Sequence, residues 1–160
     1  LKKNKKWNNK YYSIDHGTNS RLNEIQASIL NLKLKYINSY IRKRRFIAQK
    51  YFKGLKGPDV KMPIINKENF HVFHIFAVSH PKRELILKKM RSKNINLVIH
   101  YPYPIHTMKA YNNFTYDYSN RLIETEKKAK TIFSLPIYPS IKNYEIENII
   151  QNINKIVSKI

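Results

Sequence analysis

From Leu22 onward apolar residues recur at helical spacing: Leu22, Ile25, Ile29, Leu32, Tyr36 and Tyr40, then Ile47, Tyr51 and Leu55. Steps of three, four and seven put them on one stripe of a helix. Leu30, Leu34, Ile37 and Ile41 form a second stripe beside it. Ser20 is the expected N-cap, and Glu24 suits the first turn. Gly54 and the pair Gly57 and Pro58 end the pattern. A helix from Leu22 to Leu55 would be roughly 50 Å long. That exceeds a small domain, so the helix is expected to bend or to reach a second domain or subunit.

The rest of the chain alternates shorter patterns. Residues 72–78 are apolar on both alternating faces and rich in strand formers, which predicts a buried strand. Pro81 then opens a helix with Leu85, Ile86 and Met90 on its buried face and Asn94 as C-cap. Residues 95–99 read as a second strand, stopped by Pro102 and Pro104. Residues 105–118 read as a loop with one helical turn, and Asn120 starts a short helix to about Lys130. Phe133, Leu135 and Ile137 alternate as a third strand, broken by Pro136 and Pro139. Asn143 caps a last helix with Ile146, Ile149, Ile150, Ile153, Ile156, Val157 and Ile160 on one side. The order helix, strand, helix, strand, helix, strand, helix predicts an α/β sandwich with a small sheet.

Composition narrows the chemistry. At 160 residues there is room for one domain with a core, not two. The formal charge of +21 suggests nucleic acid, an acidic membrane surface or an anionic ligand, without choosing among them. Lys, Asn, Ile and Tyr all have AT-rich codons, and such a bias spreads lysine over every exposed surface. Two local clusters stand out: Lys2, Lys3, Lys5, Lys6 and Lys10, and the run Arg42, Lys43, Arg44 and Arg45. The second lies within a helical pattern and is expected to be a solvated face. Cysteine is absent, which excludes disulfides, thiolate metal sites and a cysteine nucleophile. No apolar run approaches the roughly 18 residues of a membrane span. The opening LKKNKKWNNKYY lacks the apolar segment of a signal peptide and reads as a chain entered partway through.

Few side chains group into candidate sites. His71 and His74 would lie on opposite faces of a strand, wrong for one metal, so no metal site is expected. His100, Tyr101 and Pro102 fall where a strand ends and the chain turns out, which is where ligands sit in α/β sheets. They are either a site for a hydroxylated ligand or an ordinary satisfied polar pair. Asn19, Ser20 and Arg21 precede a helix, where free N–H groups, an amide and a guanidinium suit a phosphate or simply cap the helix. With only 3 glycines there is no Gly-rich phosphate loop, and neither a G-x-S-x-G motif nor a catalytic carboxylate pair occurs.

Residues 16–27, HGTNSRLNEIQA, resemble the Gly-x-Asn-x-Arg-x-x-Glu-x-Gln-Ala segment of the DegT/DnrJ/EryC1/StrS family of pyridoxal-phosphate-dependent sugar aminotransferases. Three more segments follow in the family's order. Residues 72–76 resemble its strand with a His. Residues 99–106, IHYPYPIH, resemble its His-Tyr-Pro-x-Pro-x-His segment, followed by Ala110 and Tyr111. Residues 134–139, SLPIYP, resemble its Ser-Leu-Pro-x-x-Pro strand. Asn23 stands where an Asp is common.

The resemblance implies the aspartate-aminotransferase-like fold, fold type I, and a C-terminal fragment of it. Residues 1–21 would be the end of the large cofactor-binding domain, 22–56 a long connecting helix, and 57–160 the small α/β domain. The Schiff-base lysine and the acidic partner of the pyridine nitrogen belong to a part of the family outside this chain, and no lysine here lies in that motif. The implied cofactor is pyridoxal 5′-phosphate, and the implied substrates are glutamate and a keto-deoxyhexose linked to a nucleotide, with dTDP the closest match. By the same resemblance Asn19 reaches the cofactor phosphate of a neighbouring subunit and Arg21 lies near that site or near the phosphates of the sugar nucleotide, while His100 and Tyr101 face the hexose. The whole protein would be a cytoplasmic homodimer with shared sites, serving surface polysaccharide or glycoside synthesis, with neither nucleic acid nor membrane as partner. The competing reading is a small basic nucleic-acid-binding domain, supported by the charge and by Trp7, Tyr11 and Tyr12.

Overall fold

A computed structural model describes residue 12, residues 22–111 and residues 122–160. The helical pattern after residue 22 is realised as two helices, α1 (Glu24–Leu34) and α2 (Ile37–Gly54). Asn23, rather than Ser20, caps α1: its Oδ1 accepts from the Gln26 N–H at 2.8 Å, and Gln26 Oε1 accepts from the Asn23 N–H at 3.5 Å. Ser20 itself lies outside the described residues. The break comes at Lys35 and Tyr36, where the Tyr36 N–H closes on the Lys33 carbonyl at 3.0 Å and tightens the last turn. Burial changes across it, for α1 buries no residue and α2 buries Ile47, Ala48 and Tyr51.

The remaining elements are β1 (Phe76–Ser79), α3 (Arg83–Arg91), two short 3₁₀ turns (Ile105–Thr107 and Lys109–Tyr111), α4 (Ile123–Thr131), β2 (Ile132–Leu135) and α5 (Asn143–Val157). β1 and β2 pair antiparallel, Phe76 opposite Leu135, Ala77 opposite Ser134 and Val78 opposite Phe133. Single bridges extend this ribbon on both sides, Lys61 to Ser79 and Val98 to Ser134. Three strands were expected, but two form among the described residues. Residues 95–99 contribute one bridge, because Asn94 turns the chain at φ 59° and Ile95 drops into the core. The first strand starts at Phe76 rather than residue 72 for a similar reason. Phe73 sits in the left-handed region at φ 51° and redirects the chain before pairing begins.

Strand alternation divides the ribbon. Phe76, Val78, Phe133 and Leu135 enter the core, while Ala77 and Ser134 share the other face. α5 closes the core with Ile146, Ile149, Ile153, Ile156 and Val157, packed against α2 and α3. α3 buries Ile86 and Met90, four apart on its α5 side, whereas Leu85 points outward at 38% exposure, contrary to the expected face. Asn143 is the first residue of α5 rather than its cap. Lys142 holds the cap position, its N–H bonded to Glu145 Oε2 at 2.7 Å. Asn120 lies outside the described residues, and α4 starts at Ile123.

The basic run on α2 is only half solvated. Arg42 and Lys43 are exposed. Arg44 turns inward, its Nη1 donating to the carbonyls of Ile137 at 2.6 Å, His74 at 2.9 Å and Phe73 at 3.3 Å. Arg45 donates to the His71 carbonyl at 2.8 Å and stacks over the Phe70 ring at 4.3 Å. These two cations bind the turn at 70–74 to α2, which is structural work and not an open basic patch. No helix among the described residues is long and apolar enough to cross a membrane.

Candidate functional site

The face of the ribbon turned away from the core carries the polar groups. Ser134 is placed there by its pairing with Ala77 and is 5% exposed. Its backbone also takes the bridge to Val98, with N–H to carbonyl distances of 2.7 and 3.4 Å. Two residues past that bridge the chain leaves the sheet, and there His100 Nδ1 meets Ser134 Oγ at 3.0 Å. The bridge fixes the backbone and the register fixes the hydroxyl, so the imidazole is held at the strand end. The His100–Tyr101 peptide is cis. The Tyr101 ring stands edge-on to the imidazole, centroids 5.6 Å apart, and the residue is 59% exposed.

Beyond Tyr101 the prolines carry the chain past Tyr103, whose ring meets the Tyr12 ring edge-on at 5.5 Å. Tyr12 Oη accepts from the Lys109 N–H at 3.1 Å. The aromatic near the start of the chain is thereby tied to the segment that follows His100. His106 Nε2 lies 3.0 Å from Glu126 Oε1, which links the first 3₁₀ turn to α4.

Of the four residues expected to form sites, the structure sets His100 and Tyr101 side by side, whereas Asn19 and Arg21 lie outside the described residues. Trp7, Tyr11 and the first lysine cluster lie outside them too. His71 and His74 are not on a strand. His71 Nδ1 accepts from the Phe73 N–H at 3.0 Å, and the His74 carbonyl receives Arg44. Ser134 was read only as part of a strand motif. The signal for it was present: Phe133 and Leu135 both point inward, so the residue between them must face the other way. The assembled groups are an imidazole, a hydroxyl and phenol rings, suited to hydrogen-bonding a hydroxylated ligand against an aromatic surface. A hollow of about 360 Å³, bordered by Arg42, Phe46, Pro139 and Ile141, opens elsewhere, between α2 and the start of α5.

Comparison with known proteins agrees with the segment order read from the sequence. The profile of the DegT/DnrJ/EryC1/StrS aminotransferase family matches residues 2–154. The dTDP-3-amino-3,4,6-trideoxy-alpha-D-glucose transaminase of Micromonospora megalomicea subsp. nigra is 37% identical over 153 residues, covering 92% of this chain and 41% of that protein. The dTDP-3-amino-3,6-dideoxy-alpha-D-galactopyranose transaminase of Aneurinibacillus thermoaerophilus is 34% identical, covering 91% and 39%. Among solved structures, S. venezuelae DesV in complex with a ketimine intermediate superposes with a TM-score of 0.82 at 28% identity, over 98% of this chain and 42% of that one. The chain spans about two fifths of the length of the curated relatives it matches, and it shares its fold with that portion of the solved aminotransferase.

Proposed function

Because this chain belongs to the DegT/DnrJ/EryC1/StrS aminotransferase family, we propose that it is the C-terminal part of a nucleotide-sugar aminotransferase. The whole enzyme transfers the amino group of glutamate to a keto-deoxyhexose. The observation that carries this reading is the agreement between the two relatives, both dTDP-linked 3-amino sugar transaminases that match nine tenths of the chain. The substrate is accordingly a dTDP-linked 3-keto-6-deoxyhexose, and the product serves surface polysaccharide or glycoside synthesis in the cytoplasm.

Pyridoxal 5′-phosphate, when bound, supplies the carbonyl that carries the amine and the electron sink for moving it. The groups gathered at the described strand end do not fit that cofactor. An imidazole, a hydroxyl and phenols offer neither an amine to form an imine nor a carboxylate to face a pyridinium nitrogen. They fit sugar hydroxyls and carbonyl oxygens, so His100 and Tyr101 bind and orient the hexose. Asn19 and Arg21 have the right chemistry for phosphate, an amide donor and a charged fork, and serve the cofactor site across a homodimer. A nucleic-acid reading loses its helical basic patch, since Arg44 and Arg45 are engaged with backbone carbonyls.

The test compares the chain alone with the same chain extended by the upstream reading frame. Mixed with pyridoxal phosphate, glutamate and the dTDP-keto sugar, the chain alone should form no amino sugar above the cofactor-only rate. The extended protein should form it. In that protein His100→Ala should weaken use of the sugar nucleotide by about tenfold, the loss of roughly one hydrogen bond. Its glutamate half-reaction, read from cofactor absorbance, should be unchanged. Amino-sugar formation by the chain alone, or none by the extended protein, overturns the reading.

A further inference from the structure

We propose that Ser134 is a positioning residue that locks His100 in the tautomer with its proton on Nε2, so that the strand end presents an N–H donor to an oxygen of the sugar. The inference rests on the functional reading above and specifies the hydrogen-bond sense of that site.

The argument is an accounting of protons. Ser134 Oγ can donate one hydrogen, and the residue is 5% exposed. Among the described residues its bonding partner is His100 Nδ1, at 3.0 Å. If Nδ1 carried the proton and donated to Oγ, the serine hydrogen would be left with no acceptor in a nearly dry site, an unfavourable arrangement. The alternative satisfies both groups: Oγ–H donates to Nδ1, which must then be the bare nitrogen. A neutral imidazole with a bare Nδ1 carries its hydrogen on Nε2. No bond to Nε2 occurs among the described residues, and no unpartnered buried side-chain nitrogen exists among them, so Nε2 reaches solvent. The group offered outward is therefore a donor. It selects an acceptor on the ligand, such as a carbonyl oxygen or a hydroxyl oxygen, and it cannot accept from a sugar hydroxyl in that state.

Ser134 is well suited to this task because little else can move it. Its strand pairing to Ala77 and its two bonds with Val98 hold the backbone. Replacing the hydroxyl leaves both ladders intact.

The experiment is nitrogen-detected NMR of the histidine rings at a pH where His100 is neutral, on this chain and on Ser134→Ala and Ser134→Thr, with circular dichroism to verify folding. The expected result is the Nε2–H tautomer in the parent chain, a mixed population in Ser134→Ala, and recovery in Ser134→Thr, which keeps the hydroxyl. In the extended protein Ser134→Ala should raise the KM for the sugar nucleotide about three- to tenfold, in line with one loosened hydrogen bond, and leave the glutamate half-reaction alone. An Nδ1–H tautomer in the parent chain, or an unchanged tautomer in Ser134→Ala, overturns the proposal; the parent measurement decides even if both variants fail to fold. A tautomer that behaves as expected while the sugar KM stays fixed upholds the positioning by Ser134 and instead overturns the role of His100 in sugar binding.

Discussion

Tyr51 is the largest fully buried side chain of the core, and its Oη donates to the Pro136 carbonyl at 2.6 Å. Burial, and secondarily the nearby Tyr138, push its phenol well above the ordinary value of 10.0. In the unfolded chain that value returns to about 10, so above this pH the unfolded state loses the proton first. Folding stability from this group is thus complete below about pH 10 and falls as pH rises further. Tyr51→Phe should cost about 1–2 kcal/mol at neutral pH by leaving the Pro136 carbonyl unpaired, and it should flatten the alkaline fall. Urea midpoints measured between about pH 7 and 11 would check it, with a residual slope expected from the partly exposed Tyr138. Equal alkaline slopes in both proteins would rule the explanation out. At this scale the sequence was readable where a residue's role follows from its own neighbours, as for Ser134 between Phe133 and Leu135. It was unreadable for Arg44 and Arg45, whose partner carbonyls lie 26 to 93 positions further along the chain. Nothing within a run of four cations marks the two that turn inward.

Between elements, the contact of α2 with α5 is set by what is missing at Gly54. A Cβ there would come 2.8 Å from Ile150 Cδ1 and 2.9 Å from Cγ2. Asn154 fastens the same junction, donating to the Gly54 carbonyl at 2.8 Å and accepting from the Lys56 N–H at 3.0 Å. Glycine within a helix ordinarily gives way to alanine with a gain of up to about 1 kcal/mol. Here overpacking should win, and Gly54→Ala should destabilise by about 1–3 kcal/mol. Ile150→Ala will itself cost stability, but the double variant should be more stable than the two single costs added together, and a double-mutant cycle from denaturant unfolding measures that coupling. Additive costs would mean that the two helices can separate without strain. Helices were the legible elements, because α2 and α5 carry long apolar stripes. Short strands were less so. Whether residues 72–75 or 95–99 pair depends on Phe73 and Asn94, which adopt left-handed backbones that alternation of apolar residues cannot reveal. Phe73 is held there by a buried ring, by its N–H on His71 Nδ1, and by Arg44 on its carbonyl.

Across the whole molecule the apolar surface is unevenly covered. The five large aliphatic residues of α1, namely Ile25, Ile29, Leu30, Leu32 and Leu34, are each at least half exposed, while α2, α3, α5 and the two strands share one continuous core. Four short segments in a fixed order made the family legible when no single motif could. Periodicity identified α1 as apolar without showing what would lie against it, because a stripe records that a face is buried and not by which surface. If the chain is the C-terminal part of a longer enzyme, the rest of that enzyme covers this face, and the chain alone must leave it to solvent. Contiguous apolar patches of this kind drive association. The +21 charge opposes it, so the measurement belongs at about 1 M salt, where charge repulsion extends only about 3 Å. Under those conditions the chain should elute from size exclusion ahead of a monomer and bind a hydrophobic dye. Ile25→Lys combined with Leu32→Lys should restore the monomer and abolish the dye signal. Because neither residue packs on the core, the thermal midpoint should be unchanged. In the extended protein the same pair of changes should instead weaken the fold, since there the face would be buried. A clean, dye-silent monomer from the unaltered chain would show that α1 needs no cover, and the fragment reading would lose its structural support.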